Sequence, residues 1–128
     1  MANYTWSYSA LKEYTNCPKQ YQEIKVLKRF VKSTTEQMLY GTEVHKALED
    51  YVREGTPLAK NYERFQPVLD ALIAIEGTKY PEHEMALGRN REPMEFGDEN
   101  RWVRGIVDLL IVNGDEAHII DYKTGSNK

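Results

Sequence analysis

Two β-rich runs, "RWVRGIVDLLIV" (101–112) and "AHIIDYKT" (117–124), flank the turn-forming stretch "NGDE". A hairpin between them restricts the fold of this chain more than any other feature. An even-numbered loop fixes which side chains share a face. If all four residues of "NGDE" form the loop, Val112 pairs with Ala117, and counting outward sets Asp108 opposite Asp121. If Asn113-Gly114 is a two-residue type I′ turn, the register moves by two and the aspartates become near neighbours on the same face. Lys123 follows two residues after Asp121, on that face and about 7 Å further along, while Tyr122 points with Ile120 into the opposite layer.

Two carboxylates about 5 Å apart repel by roughly 3 kcal/mol at an effective dielectric of 20. A divalent cation between them offsets that repulsion: hard Mg²⁺ or Mn²⁺ prefers such oxygens and lowers the pKa of a bound water. Lys123 would then orient that water or stabilise charge building on a phosphate. The plainer alternative is that Lys123 only neutralises Asp121 at a strand end.

The rest of the chain supplies context. Its 128 residues suit a single domain with a sizeable core. Hydrophobic residues make up 41% and charged ones 29%, which excludes a disordered chain, and no apolar run reaches the ~20 residues of a membrane span. The start "MANYTWSYSA" lacks the basic and apolar regions of a secretory signal, and the single cysteine, Cys17, has no internal disulfide partner. A cytoplasmic setting is expected. A net charge of −3 argues against general polyanion binding. Yet residues 1–32 hold six Lys/Arg against Glu13 and Glu23, a basic arm on an acidic body. That asymmetry suits a phosphate-binding surface beside a cation site, and suits ordinary solvated faces equally well.

Helices come first. Ser7 and Ser9 precede a short helix through Leu11 and Tyr14 that ends near Cys17-Pro18, and Pro18 opens a second. Leu39, Val44, Ala47, Leu48 and Tyr51 trace one face of a helix over 34–53, with Gly55 as its C-cap. A third helical stretch runs from Asn61 to Gly77, where Pro67 either kinks it or marks its true start. After Tyr80-Pro81 the pattern changes to strands: "EHEMALG" alternates, "PMEFGDEN" reads as an acidic loop, and the hairpin follows. The expected fold class is α+β, with a helical part (1–80) and a sheet part (81–128) in one domain.

The sequence "GIVDLL" followed by "IIDYKTG" resembles the D…DxK signature of the PD-(D/E)XK nuclease superfamily, and "DYKTG" resembles its RecB-like exonuclease branch. "SYSALKEYTNCPKQY" is similar to that branch's N-terminal helix, and "GTEVHKALE" to its G-x-x-H helix. The resemblance spans Ser7 to Gly125. It implies a restriction-endonuclease-like fold with helices packed on a small mixed β-sheet meander, and Mg²⁺ or Mn²⁺ as cofactor. By position it makes His45, Asp108, Asp121 and the backbone carbonyl of Tyr122 metal ligands and gives Lys123 a catalytic role. An acidic residue on "EHEMALG" belongs beside the metal; Glu84 is preferred and Glu82 shares its face at alternate spacing.

The implied activity is a metal-dependent DNA nuclease, an exonuclease on ends or single strands in recombination, repair or phage DNA metabolism, in a prokaryotic or viral cytoplasm. A nuclease-derived binding or assembly module is the alternative from another class. A CRISPR-adaptation type nuclease is a further one, but its cluster cysteines are missing, so no iron-sulfur cluster is expected and Cys17 reads as a small buried residue. Lys25, Lys28, Arg29 and Lys32 are candidate DNA contacts. Tyr8, Tyr14 and Tyr21 suit either base stacking or the core. Relatives continue after "DYKTG" with another strand and a helix; here the sequence ends at Lys128, which reads as truncation after the catalytic strand. The uncovered strand edge is expected to support a homodimer or a partner protein.

Overall fold

In the computed structural model, which describes residues 4–125, helices precede strands and the fold is α+β. Helix α1 (Tyr8–Asn16) starts where Ser7 accepts a hydrogen bond from the Ala10 N–H at 3.2 Å. Helix α2 (Pro18–Tyr21) has Pro18 in its first turn and runs into a π-helical turn, Gln22–Val26. Its N-cap is Cys17, whose Sγ accepts from the Gln20 N–H at 3.4 Å, so the cysteine is a half-buried cap rather than a buried packing residue.

Helix α3 (Glu36–Glu54) is capped by Thr35 and closed by Gly55 in the left-handed conformation (φ 73°), which glycine adopts without a Cβ penalty. The expected third helix is shorter than its pattern. A 3₁₀ stretch, Lys60–Phe65, comes first, and α4 (Gln66–Ala74) begins beside Pro67, so the proline marks a start and not a kink.

Four strands follow: β1 (Thr78–Leu87), β2 (Pro93–Met94), β3 (Val103–Asn113) and β4 (Glu116–Ile120), in the sheet order β2-β1-β3-β4. β1 with β2 and β3 with β4 pair antiparallel, and a parallel bridge joins Trp6 to Val103. Two departures from expectation stand out. The "acidic loop" supplies β2, a short edge strand, and the run "AHIIDYKT" leaves the ladder at Ile120 instead of continuing to Thr124. The hairpin register is Val112↔Ala117, closed further by Asn113↔Glu116 around Gly114 (φ 56°) and Asp115.

Contacts divide the chain into two compact units, Met1–Thr34 with Glu84–Ile106, and Thr35–His83 with Val107–Lys128. In the first, Trp6 donates its N–H to the Trp102 carbonyl at 2.7 Å and accepts from the Arg104 N–H at 2.8 Å. Trp6, Tyr14 and the buried Tyr21 form an aromatic cluster there. In the second, Val44 and Leu48, one helical turn apart on α3, are fully buried with Leu69 and packed with Tyr62. Each such aliphatic side chain contributes about 1.5–3 kcal/mol. Tyr122, two residues beyond β4, packs against this core beside α3.

Candidate metal centre

The second unit brings three potential ligands together. His45 on α3, Glu82 on β1 and Asp108 on β3 each offer one donor atom, and those atoms lie within 4.8 Å of one another. His45 is held by the buried face of α3, since Val44 and Leu48 lie on either side of it in sequence and seat the helix. Its Nδ1 is 3.2 Å from Asp108 Oδ1. With a proton on Nδ1 this is a hydrogen bond; without it the same two atoms can face one ion. Asp108 Oδ2 accepts the backbone N–H of Tyr122 at 2.6 Å, a short charge-assisted bond. The Tyr122 ring stands edge-on to the His45 ring with centroids 6.0 Å apart.

Glu82 occupies an unusual backbone state, a left-handed φ of 49° inside a strand. For a non-glycine residue this is strained, and such strain concentrates at functional sites. Arg53 anchors the neighbourhood: its guanidinium donates to the Pro81 carbonyl at 2.9 Å and to Glu49 at 3.0 Å. Burial pushes the Glu82 carboxyl above the ordinary range, helped by the negative charge of Asp108 and then Glu49, while His45 and Arg53 pull the other way. Burial likewise raises the Tyr122 phenol to about 12, with Asp108 and Glu82 adding to it.

This donor set fits a hard divalent cation. Two carboxylates and an imidazole converge, and Glu82 is raised by burial first and by the Asp108 charge second, both of which a nearby positive charge would counter. A cation held by His45, Glu82 and Asp108 would supply Lewis acidity and a water of lowered pKa.

The other expected residues are placed differently. Asp121 stands one residue beyond the ladder with its side chain 62% exposed, ion-paired to Lys123, itself 86% exposed; neither joins the three-residue cluster. The reason is local: Asp108 takes the Tyr122 N–H with its side chain, so the segment after Ile120 bonds to a carboxylate rather than extending the strand. Tyr122 accordingly packs near His45 and not in the opposite layer. Glu84 is exposed, and Glu82 is the β1 carboxylate in the cluster. Glu49 and Arg53, which shape the charge around Glu82, carried no sequence signal beyond their spacing of four and eight residues from His45 on one helix. On the basic arm, Lys25 and Lys32 pair with Glu13 at 3.7 and 3.0 Å and Arg29 with Glu23 at 3.7 Å, while Lys28 is exposed.

The fold is α+β, and this cluster is a set of side chains that could hold a metal ion. The sequence profile of the PD-(D/E)XK nuclease superfamily matches residues 5–92, and the chain belongs to that superfamily, whose members use divalent metals and act on nucleic acid. The matched region includes His45 and Glu82 and stops before Asp108. No curated protein and no solved structure matches the chain. Among the described residues, no helix is long and apolar enough to cross a membrane.

Proposed function

We propose that the protein is a metal-dependent DNA exonuclease of the RecB-like branch, acting on ends or single strands in recombination, repair or phage DNA metabolism. The convergence of His45, Glu82 and Asp108 carries this reading. The imidazole nitrogen among the carboxylates favours Mn²⁺ over Mg²⁺, since nitrogen ligands suit the later metals and Mg²⁺ prefers oxygen. Asp108 is the central ligand; the Tyr122 N–H on its second oxygen fixes the direction of the first. His45 must be neutral at Nδ1 to serve, and the Tyr122 ring stands edge-on beside it. By resemblance, Asp121 and the Tyr122 carbonyl complete the ligand set, with Lys123 stabilising charge on the phosphate. Their action requires the Asp121–Lys123 pair to open towards the substrate. The exposed cations of the arm, Lys25, Lys28, Arg29 and Lys32, are proposed to meet DNA phosphates, and the exposed edge strand β4 to pair with a second copy.

A labelled single-stranded oligonucleotide incubated with Mn²⁺ tests the main reading. Shortening by the wild type, lost in Asp108→Ala and reduced at least about a hundredfold in Lys123→Ala, is the expected result. If Lys123→Ala cleaves like the wild type, its catalytic role is wrong. The exposed Asp121–Lys123 pair gives the second reading its footing: a metal- or DNA-binding assembly module with little turnover. Mn²⁺ binding that depends on Asp108, without any cleavage, would select it. Sedimentation at micromolar concentration tests the homodimer; an unchanged monomer rejects it.

A further inference from the structure

The unit that carries the metal cluster, Thr35–His83 with Val107–Lys128, also holds a groove of about 710 Å³ bordered by Glu36, Tyr40, Gly41, Arg64 and Thr124. Two segments are common to the groove and the cluster. Gly41 lies four residues before His45 on α3, so the two share a side of the helix about 6 Å apart along its axis. Thr124 follows Lys123, and Tyr122 just before them stands against the His45 ring.

Gly41 points to an occupant. Inside a helix glycine is unfavourable relative to alanine, and its uses are a left-handed φ, tight packing or the close approach of a ligand to the backbone. Gly41 has ordinary helical geometry, and a Cβ added there meets nothing within 4 Å among the described residues. Neither backbone conformation nor internal packing accounts for it. Because Gly41 borders the groove, its missing side chain leaves bare backbone open to a ligand.

Arg64 indicates the chemistry of that ligand. Its guanidinium donates to the Tyr40 hydroxyl at 3.0 Å and lies over the Phe65 ring, 4.7 Å from the centroid. Both supports rest on the core: Tyr40 tilts against the buried Tyr62, and Phe65 packs on the cluster of Val44, Leu48 and Leu69. Among the described residues no carboxylate pairs with Arg64, whereas Lys46 and Arg53 on α3 are both paired. A hydroxyl and a ring thus orient this charge without neutralising it. The remaining N–H donors form the fork that suits phosphate oxygens.

We propose that the groove seats the phosphate next to the one at the metal centre on a single nucleic-acid strand, gripped by Arg64 while the strand passes over Gly41. Thr124 offers a second donor. One helical turn, the offset of Gly41 from His45, is close to the separation of successive phosphates along a strand. Glu36 borders the same groove and repels an anion there, so its removal should tighten binding. Arg64 is here a positioning residue, and its role rests on the nuclease reading of the chain.

The test follows a labelled single-stranded oligonucleotide bound to the full chain in EDTA, by fluorescence anisotropy across a salt series, and its cleavage with Mn²⁺. Arg64→Gln should weaken binding about tenfold and flatten the slope of log K against log salt by about 0.7, the loss of one phosphate contact. Arg64→Lys should restore the slope. Lys60→Gln, which removes an exposed cation of the same 3₁₀ stretch outside the groove, should change both far less. Gly41→Ala should melt no lower than the wild type yet bind the strand more weakly, Gly41→Leu should bind weaker still, and Glu36→Gln should bind more tightly. In cleavage, Arg64→Gln should raise KM more than it lowers kcat. An uncharged methylphosphonate at the linkage beside the cleaved one should weaken the wild type and cost Arg64→Gln nothing further. Parental affinity and slope in Arg64→Gln, an equal effect of Lys60→Gln, or glycine variants that bind like the wild type overturn the groove. A wild type that cleaves while these variants change nothing refutes the groove alone; one that neither binds nor cleaves refutes the nuclease reading and the groove with it.

Discussion

Asp108 and Tyr122 are tied by a 2.6 Å bond from a backbone N–H to a side-chain oxygen, and the other oxygen of that same carboxylate faces His45 at 3.2 Å. One side chain thus takes the place of a strand partner for Tyr122 and faces the His45 imidazole. The arrangement makes the proposed metal centre sensitive to changes that leave the core intact.

Asp108→Asn keeps an acceptor for Tyr122 and removes the charge. Mn²⁺ at about 100 times its Kd should stabilise the wild type by ~2.7 kcal/mol, a rise in Tm of roughly 10 °C, and should leave Asp108→Asn unmoved. Thermal melts with and without Mn²⁺ read this directly. An equal shift in both proteins places the ion elsewhere.

Glu82 holds its proton to higher pH than an ordinary carboxyl, so the folded apo protein binds that proton more tightly than the unfolded chain does. Ionising it costs stability, and stability of the apo form falls as pH rises from the unfolded carboxyl pKa through the raised folded one. Glu82→Gln should therefore melt higher than wild type near neutral pH without metal, and bind Mn²⁺ at least about tenfold more weakly. Calorimetry in buffers of different ionisation enthalpy should detect protons released on Mn²⁺ binding at weakly acid pH by wild type, and fewer by the variant. Equal release would assign those protons to another group.

Arg53 bonds to the Pro81 carbonyl and to Glu49, and its charge opposes the upward push on Glu82. Arg53→Ala should weaken Mn²⁺ binding about tenfold, the usual scale for a residue that orients a ligand. In a Glu82→Gln background the same change should have little further effect, because its route runs through Glu82. Additive losses in the double variant would reject that route.

The Tyr122 phenol is raised to about 12 by burial first and by Asp108 and Glu82 second. The folded protein keeps that proton above pH 10, where the unfolded chain gives it up. Its contribution is present below pH 10 and lost as pH rises from about 10 to about 12. Tyr122→Phe should flatten that part of the stability–pH curve in urea melts, and an unchanged slope would refute the assignment.

Much of this centre could be read from the residues. Hairpin parity left two registers open, and the one that pairs Val112 with Ala117 forms, closed by a two-residue turn at Gly114-Asp115 and not by the four-residue loop. His45 and Asp108 were both marked as ligands and do meet. Where the strand ends was hidden, since it depends on one side chain replacing a backbone acceptor for Tyr122. The choice between Glu82 and Glu84 was hidden as well. Strict alternation puts both on one face, but the left-handed φ at Glu82 interrupts the alternation, leaving Pro81, Glu82 and His83 all half-buried and Glu84 exposed. The short 3₁₀ stretch before α4 was concealed by a helical pattern continuous across Pro67.

The unit boundaries fall after residues 34, 83 and 106, so the chain crosses between units three times and neither unit is one uninterrupted length of polypeptide. A growing chain cannot finish the first unit until Ile106 has been made, although its opening helices appear within the first 26 residues. Those helices must wait, aromatic side chains uncovered, while most of the second unit is synthesised. A protease cut in either long strand, β1 or β3, would therefore damage both units at once, so limited digestion should yield intact chain or small peptides and no stable half.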